Sequence, residues 1–381
     1  MLNLVFSVFT TLIKNGTIVD GTGKKRFRAD LGISDGVIED LGDLKRAQAE
    51  NVVNASGLLV APGFIDINSD ADSYWTLFTN PTLDSLVHQG ITTIVCGNCG
   101  TSVAPLVQDN VTASLQKWAD ITEVNMDWVT FEEFFQALEK RRIILNFATL
   151  IGHETIRRAV VGKEARRSSL EEIKMMKEMV RKSLTQGAWG LSAGLAYAPT
   201  NYASLRELVE LAKVVSAAKG VFSSHLRSES REVVEAVVEL ISLAREAQVS
   251  VEISHFKIKE KDNWRFHSRV LSLIEQASRE GLKINFDFYP YEVATVVLSI
   301  YLPDWVHEGG KTKILRRLKD AESRRMIIQQ MQLRGHDFSE MTVAIAPANP
   351  EFVGVNIQQF AEDQGISCEE AVVDALLACD G

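Results

Sequence analysis

The chain has 381 residues, of which 46% are hydrophobic and 24% are charged, and its net charge is −9 at pH 7. This balance is that of an ordinary soluble enzyme, and the length suits one barrel domain together with a smaller module. The negative charge and the lack of a basic stripe argue against nucleic acid as a partner. Four cysteines are too few for a disulfide framework in a chain of this length, so we expect a reducing, cytoplasmic setting.

The first twelve residues, MLNLVFSVFTTL, form a short apolar run. No basic segment precedes this run and no cleavage site of small residues follows it, which argues against a signal peptide. The run is also far too short to cross a membrane, and no later segment is a candidate for a membrane span. We therefore expect an N-terminal extension that leads into a β-strand, and we expect no membrane partner.

Residues 10–62 have the pattern of short strands separated by turns. Asn-Gly and Asp-Gly pairs interrupt the alternating apolar stretches at Asn15–Gly16, Asp20–Gly21 and Asp35–Gly36. Such pairs are the strongest short-range signals of a β-hairpin. The pattern predicts a small, β-sandwich-like module over residues 1–62, which we expect to be incomplete.

From residue 63 onward, short apolar runs alternate with amphipathic segments that end in glycine. This alternation predicts βα units around a parallel sheet. Seven runs qualify as strands: FIDI (64–67), TTIVC (92–96), NFATLIG (146–152), WGLSAG (189–194), GVFSSH (220–225), VSVEISH (249–255) and KINFDFYP (283–290). After residue 290 the pattern is mainly helical. We therefore expect residues 63–381 to form an α/β barrel of the (β/α)8 TIM type that lacks its eighth strand and is truncated at its C-terminal end.

Three residues at the ends of these strands have side chains that bind metals. Cys99 follows the second strand in the sequence CGNCG, His225 ends the fifth strand, and His255 ends the sixth. Barrel enzymes assemble their active sites at the carboxyl ends of the strands, and two imidazoles with one thiolate suit Zn²⁺. Two competing interpretations are a pair of hydrogen-bonded core histidines and a redox or zinc-ribbon motif formed by Cys96 with Cys99. The second is weak, because the chain has no second CxxC pair and Cys96 ends an apolar strand.

Three further polar residues also follow predicted strands. Asn68 and Asp70 come after the first strand and are possible metal ligands. His153 comes after the third strand, where it is either a neighbour of substrate or metal or a structural residue. Its position alone does not separate these two roles.

Several motifs of the chain resemble those of the N-acyl-D-amino-acid deacylases, or D-aminoacylases, of the amidohydrolase superfamily. The resemblance runs from about residue 11 to the end of the chain. The motifs are LIKNGTIVDGTG, LLVAPGFIDI, QGITTIVCGNCGTSVAPL, GLSAGLAYAPTNYAS, SSHLRSES, ISHFKI and DFYPYEVATVVLSIYLPDW. APGFID alone is typical of the whole superfamily, whereas GNCG together with SHLRSE, SHFK and YPY is far more specific.

The resemblance implies zinc-dependent hydrolysis of a linear amide, in which an N-acyl-D-amino acid gives a carboxylate and a D-amino acid. It implies that Cys99, His225 and His255 are zinc ligands, the same residues that strand position selects. It also implies that Lys257 and Tyr289 lie at the substrate site, where they hold the acyl or carboxylate end of the substrate.

The chain departs from the family pattern in two places. The family's His-x-His after APGFID is replaced by Asn68-Ser69-Asp70, so we expect one zinc ion rather than two. The family's catalytic aspartate belongs to a GSDG-like segment on strand eight, and no residue of this sequence matches it. Two alternatives to the deacylase function are a non-catalytic member of the same fold that binds a metal or ligand, and a hydrolase of cyclic amides such as hydantoins or dihydropyrimidines.

Overall fold

The structure, a computed structural model, describes residues 8–106 and 125–381. Its strands are β1 Val8–Ile18, β2 Phe27–Ser34, β3 Val37–Gly42, β4 Gln48–Asn54, β5 Leu59–Val60, β6 Phe64–Asp66, β7 Ile91–Cys96, β8 Asn146–Thr149, β9 Ile151–Gly152, β10 Gly190–Gly194, β11 Val221–His225, β12 Ser250–Ile253 and β13 Ile284–Phe286. Its α-helices are α1 Thr76–Thr79, α2 Asp84–Val87, α3 Phe131–Arg141, α4 His153–Val160, α5 Leu170–Thr185, α6 Leu205–Ala217, α7 Val233–Ala247, α8 His267–Arg279, α9 Lys311–Lys319, α10 Ala321–Arg334, α11 Ile357–Gln364 and α12 Cys368–Ala378.

The chain divides into two compact units. The first runs up to Ile65 and includes Gly90–Thr92, and the second comprises Asp66–Gln89 and Thr93–Gly381. Of the apolar N-terminal run, the part from Val8 belongs to β1, and residues 1–7 lie outside the described residues.

The first unit contains a sheet in the order β3-β2-β1-β4, with β5 also pairing with β1. The Asp35–Gly36 pair forms the predicted hairpin turn between β2 and β3, and both of its residues have positive φ, 49° and 78°. The hairpin expected at Asn15–Gly16 is wrong, because this pair lies inside β1 at a shift in the register with β2. Asn15 has a φ of 62°, and its backbone N–H donates to Asp30 Oδ1 at 2.8 Å. A left-handed asparagine here produces a β-bulge instead of a reversal of the chain.

The second unit confirms the predicted α/β class with parallel sheets. One sheet has the order β13-β12-β11-β10-β9, and its neighbouring strands are parallel. Another sheet has the order β6-β7-β8. All seven apolar runs predicted as strands contain one. Every residue of β10 is buried, as expected for a strand of a parallel sheet that is covered on both faces.

The helices between these strands follow from amphipathic patterns with defined starts. Ser169 caps α5 in a capping box with Glu172, which satisfies N–H groups of the first turn. Ile173, Met176 and Val180 then recur at helical spacing and are buried. The face of α5 that packs inward is therefore set by its sequence.

The chain beyond residue 290 forms a mainly helical region with a core of its own. Its buried side chains come from α9–α12, from Val306 in the 3₁₀ turn Asp304–His307, and from Leu302 and Phe338 in the connecting segments. Leu318, Ile327, Met331 and Val372 are completely buried in this cluster. The predicted helical character of this region is confirmed.

Candidate metal centre

The three candidate ligands lie at the carboxyl ends of parallel strands. His225 is the last residue of β11, and His255 follows β12 by two residues. β11 and β12 pair directly, with Ser224 opposite Ile253. Cys99 lies three residues beyond the end of β7. β7 belongs to a different sheet from β11 and β12, yet each of the three strands has its candidate ligand at or just beyond its carboxyl end.

The side chains of Cys99, His225 and His255 form a compact group of metal-binding atoms. One sulfur or nitrogen atom from each residue lies within 4.8 Å of the other two. Cys99 Sγ is 3.3 Å from His255 Nε2, and the centroids of the two imidazole rings are 4.5 Å apart at an interplanar angle of 79°. His225 is buried and the other two side chains are half-buried, so one side of the group stays accessible.

The backbone at two of these residues is held in an uncommon conformation. Cys99 and His255 have φ angles of 52° and 38°, in the left-handed region that costs free energy for residues other than glycine. His255 is held there by its backbone N–H, which donates to Asp287 Oδ1 at 2.7 Å. Beside Cys99, Gly100 has a φ of 84°, and a Cβ at this position would lie 2.7 Å from the backbone nitrogen of Gly194. Strain that coincides with two candidate ligands supports a functional role for this edge of the sheet.

A buried carboxylate, Glu229, lies behind the two histidines. Its Oε1 is 3.2 Å from His255 Nδ1 and 3.7 Å from His225 Nε2. The same oxygen is 2.6 Å from Lys257 Nζ, and Oε2 is 2.8 Å from Lys259 Nζ. Glu229 thus contacts side chains that follow both β11 and β12.

The electrostatic environment keeps the imidazole of His225 neutral. Burial lowers the pKa of His225 to about 3, against the opposing effect of Glu229. Burial also raises the pKa of the Cys99 thiol well above its usual range, and the negative charges of Asp70 and Glu229 add to this rise. Burial would raise the pKa of Glu229 as well, but the surrounding imidazoles and ammonium groups hold it well below its usual range.

The residues present fit a zinc ion. A neutral imidazole is the form of histidine that binds metal, and a bound divalent cation stabilises the thiolate that burial disfavours. Buried His225 Nδ1 has no hydrogen-bond partner among the described residues. Two imidazoles and one thiolate supply three protein ligands and leave a fourth position open, the arrangement of catalytic rather than structural zinc sites.

The possible ligands Asn68 and Asp70 lie near this group but are not part of it. Asn68 Nδ2 donates to Asp287 Oδ1 at 3.1 Å, so its amide nitrogen faces a carboxylate. Asp70 is close enough to interact electrostatically with both Cys99 and His255. Asn68 is therefore placed as a hydrogen-bond donor, and Asp70 as a nearby negative charge.

The two residues expected at the substrate site lie beside each other. Lys257 Nζ is 5.7 Å from the centroid of the Tyr289 ring, within the range of a cation–π contact. The same ammonium group donates to the backbone oxygen of His255 at 3.1 Å. Lys257 therefore joins the candidate metal ligands to Tyr289.

His153 is engaged in a different buried network. Its Nε2 is 2.8 Å from Glu207 Oε1, and both side chains are completely buried. Arg157 Nη1 also binds Glu207, at 2.9 and 3.0 Å from its two oxygens. This arrangement matches the structural alternative for His153 and gives no support to contact with substrate.

The chain is similar in sequence and in structure to known deacylases. No protein-family model matches it. D-aminoacylase from Alcaligenes xylosoxydans xylosoxydans is 35% identical over 306 residues, which cover 80% of this chain and 62% of that protein. The solved structure of an N-acyl-D-glutamate deacylase from Bordetella bronchiseptica matches with a TM-score of 0.80 at 30% identity and covers 96% of this chain and 69% of that chain. A solved structure of D-aminoacylase, described as a novel subset of amidohydrolases, matches with a TM-score of 0.77 at 28% identity, covering 96% and 70%.

The chain belongs to the N-acyl-D-amino-acid deacylase family of amidohydrolases. The resemblance seen in the motifs is thereby confirmed. The chain spans about six-tenths of the length of the D-aminoacylase, 62%, and 58% of an N-acyl-D-glutamate deacylase from the same organism. Among the helices in the described ranges, none has both the length and the apolar character that crossing a membrane requires.

Three acidic residues around this candidate site were not predicted from the sequence. Glu229 lies in the quoted motif SSHLRSES, four residues after His225, and Asp287 immediately follows β13. Asp72 is buried and accepts a hydrogen bond from the backbone N–H of Gly97 at 2.9 Å, which anchors the turn that carries Cys99. Burial raises the pKa of Asp72 to about 7. Glu229 and Asp72 come a few residues after predicted strands, and Asp287 lies within the predicted strand at 283–290. Such positions do not show which way a side chain points.

Proposed function

We propose that this protein hydrolyses the amide bond of an N-acyl-D-amino acid, giving a carboxylate and a free D-amino acid, with Cys99, His225 and His255 as ligands of a zinc ion. The observation that carries the proposal is the convergence of one thiol and two imidazoles at the carboxyl ends of β7, β11 and β12 in a member of this family. The relative from Bordetella bronchiseptica was solved with zinc and a phosphonate that mimics the tetrahedral intermediate. That chemistry agrees with an open three-ligand site.

The proposed site lies in a fold that we infer to be a barrel. We infer that residues 1–62 form the small β module and that residues 63–381 belong to a (β/α)8 barrel. The parallel strands β6–β13 would be its first seven strands, with β8 and β9 counted as one interrupted strand. Their order along the chain and their alternation with helices support this assignment.

The chain's own side chains have distinct roles in this proposal. Bound zinc would supply a Lewis acid that polarises the amide carbonyl and lowers the pKa of water. Lys257 would attract the carboxylate or acyl oxygen of the substrate, because its ammonium group lies beside the candidate ligands. Tyr289 would pack against the same part of the substrate and line the site next to Lys257.

We further propose that one zinc ion binds rather than two. The amide nitrogen of Asn68 faces Asp287, and an amide in this role donates a hydrogen bond instead of offering an oxygen to a cation. Asp70 alone is left as an additional oxygen ligand on this segment. We place the enzyme in the cytoplasm and expect a small molecule as its partner, in keeping with four free cysteines.

A stereochemical assay tests the function. N-acetyl-D-amino acids, their L-forms and hydantoins would be offered to zinc-loaded protein and to Cys99→Ser, and release of amine or ring opening would be followed. We expect turnover to be confined to the linear D-substrates and to be lost in Cys99→Ser. Because no residue of this sequence matches the family's catalytic aspartate, we expect this turnover to be roughly 10²- to 10⁴-fold slower than with such a base in place. Faster turnover of hydantoins would favour the cyclic-amide alternative. Stoichiometric zinc with no turnover of any substrate would favour the non-catalytic alternative.

A further inference from the structure

Glu229 connects the segments that follow β11 and β12. It lies four residues after His225, and its two oxygens reach Lys257 Nζ at 2.6 Å and Lys259 Nζ at 2.8 Å. Its backbone oxygen also accepts from the backbone N–H of Lys259 at 2.7 Å. The segment that carries His255 is therefore fixed to Glu229 at several points.

The two nitrogens of His255 face different groups. Nε2 is 3.3 Å from Cys99 Sγ, on the side where the candidate ligands converge, and Nδ1 is 3.2 Å from Glu229 Oε1. A neutral imidazole that binds a metal through one nitrogen carries its proton on the other. A carboxylate that accepts this proton in a hydrogen bond fixes the tautomer and the orientation of the ring.

Lys257 competes for the same nitrogen. Its Nζ is 3.0 Å from His255 Nδ1 and can only donate, so this hydrogen bond requires Nδ1 without a proton. A ligand nitrogen at Nε2 and a hydrogen bond from Lys257 to Nδ1 are therefore mutually exclusive in the neutral ring. Glu229 accepts from either donor, and its negative charge favours the tautomer in which Nδ1 is protonated.

We propose that Glu229 is a positioning residue that couples the two halves of the site. Through Oε1 it accepts the Nδ1 proton of His255, which directs Nε2 toward Cys99, and with the same oxygen it retains Lys257 beside the ligands. The inference rests on the proposed function, because it requires that Cys99, His225 and His255 hold zinc. In this tautomer Lys257 would not bond His255 Nδ1. Its ammonium group would keep Glu229 and the backbone oxygen of His255 as partners and would have a donor left for substrate.

Zinc affinity in a set of matched variants tests this role. Competition with a chromophoric chelator would compare the wild type with Glu229→Gln, Glu229→Asp and Glu239→Gln. Glu229→Gln removes the charge, and Glu229→Asp keeps the charge but withdraws the carboxylate by one methylene group. Glu239→Gln is the control, since Glu239 forms an ion pair with Arg227 in the same motif, at 2.8 Å, and is not bonded to either histidine.

We expect both Glu229 variants to bind zinc roughly 10- to 100-fold more weakly, the usual cost of losing a carboxylate that orients a ligating histidine. The zinc affinity of Glu239→Gln should stay within a factor of about two of the wild type, because Glu239 binds Arg227 and none of the candidate ligands. Thermal unfolding of each variant shows whether it is folded. If Glu229→Gln does not fold, Glu229→Asp, which keeps the charge that balances the two lysines, carries the test.

A second measurement reads the proton itself. In protein loaded with cobalt(II), the N–H protons of ligating imidazoles give shifted NMR signals that disappear in deuterated water. We expect the signal of His255 to exchange faster with solvent in Glu229→Asp and Glu229→Gln. The signal of His225 should change less, because its Nε2 lies 3.7 Å from Glu229 Oε1, beyond hydrogen-bond distance. A merely structural role for Glu229 would not separate the two signals.

The outcomes are distinct. Wild-type affinity in Glu229→Asp would show that Glu229 acts only through its charge and would overturn the inference, as would unchanged exchange of the His255 signal. In both cases the proposed zinc site stands. Absence of zinc binding by the wild-type protein would overturn the zinc site and the inference together.

Discussion

Two buried glutamates, Glu207 and Glu229, each contact at least one histidine and one cationic side chain, yet their surroundings differ. Glu207, in α6, binds Arg157 through both oxygens and also accepts from His153 and from Ser168 Oγ at 2.6 Å. Glu229 faces two histidines and two lysines, and the other side of that histidine pair meets Cys99. The planar, permanently charged guanidinium of Arg157 suits a structural ion pair with Glu207. Flexible ammonium groups beside a thiol and two imidazoles suit a site that binds a metal or a substrate.

Burial of a charged group therefore does not identify its function. Burial lowers the pKa of Arg157 and of Lys257 alike, and in both cases the neighbouring glutamate opposes this effect. The two clusters are separated instead by what the histidines contact. In the parts of the chain that the structure describes, Cys99, His225 and His255 are the residues that combine into a three-donor metal group. A structural role for the Glu207 cluster and a binding role for the Glu229 cluster can be tested separately.

Loss of Arg157 should have the largest effect on stability. Arg157→Met leaves the buried carboxylate of Glu207 without its main cation, which should lower the free energy of unfolding by roughly 3–5 kcal/mol. Urea unfolding monitored by circular dichroism measures this change. Arg245→Met is the matched control, because its ion pair with Glu280 is exposed and should contribute at most about 1 kcal/mol. Equal losses of unfolding free energy in the two variants would refute a structural role for the Arg157–Glu207 ion pair. Folded Arg157→Met should bind zinc with the affinity of the wild type.

The stability that the Glu207 cluster provides should be lost at acidic pH. Burial would raise the pKa of Glu207, but the hydrogen bond and charge of His153 and the charge of Arg157 outweigh it and lower this pKa to about 2, from 4.5 in the unfolded chain. The folded state therefore binds the proton less tightly. The resulting stabilisation, about 3 kcal/mol, is present above about pH 4.5 and is lost as the pH falls toward 2.

The measurement is the slope of the free energy of unfolding against pH, in the wild type and in Glu207→Gln. The slope between pH 4.5 and 2 should be smaller in the variant. Glu210→Gln is the control, since the ion pairs of Glu210 with Lys177 and Lys213 are partly exposed and their contribution should fade at high salt. A slope in Glu207→Gln as steep as that of the wild type would contradict the assignment.

Zinc should stabilise the second cluster through linkage. A metal that binds only the folded state raises the free energy of unfolding by about 2.7 kcal/mol when its free concentration is one hundred times the dissociation constant. Thermal or urea unfolding with and without zinc measures this gain. Cys99→Ser should lose most of it, whereas Cys96→Ser should keep it, because Cys96 is a buried residue of β7 outside the ligand group. Zinc stabilisation that survives in Cys99→Ser but not in Cys96→Ser would reverse the assignment.

The smallest effect is expected at Asn68. Asn68→Ala removes the hydrogen bond to Asp287 and should lower the free energy of unfolding by about 1 kcal/mol. Because the amide is a donor in this arrangement, the number of zinc ions per chain should not change. Metal analysis after dialysis checks this number. Loss of zinc in Asn68→Ala would instead make Asn68 a ligand.

Much of the site could be predicted because its signals are local. A short apolar run that ends in histidine predicts both a strand and a side chain at its carboxyl end, which applies to His225 and His255. Cys99 stands between two glycines with an asparagine, a composition that predicts a tight turn. The seven strand positions were predictable for the same reason, since each apolar run is bounded by turn or helix signals.

Other features depended on contacts that no local pattern encodes. Asn15–Gly16 has the composition of a hairpin turn, but its pairing with β2 makes it a bulge. In the sequence Glu229 is an ordinary polar residue after a strand. Only in the folded chain does it form buried ion pairs with Lys257 and Lys259, which follow the next strand. His153 stands at the carboxyl end of a strand, as His225 does, yet its ring contacts Glu207, which also binds Arg157.

The sequence by itself determined the alternation of strands and helices, the family, and the three residues that can bind metal, because hydrophobic period, glycine positions and residue chemistry are properties of short segments. The tertiary structure decided which polar side chains share an environment. Asp287 takes up both the amide of Asn68 and the backbone N–H of His255, and Glu229 joins two lysines to two histidines. These contacts join residues brought together by parallel strands, and their charges and hydrogen bonds depend on distances that only the packed sheet sets.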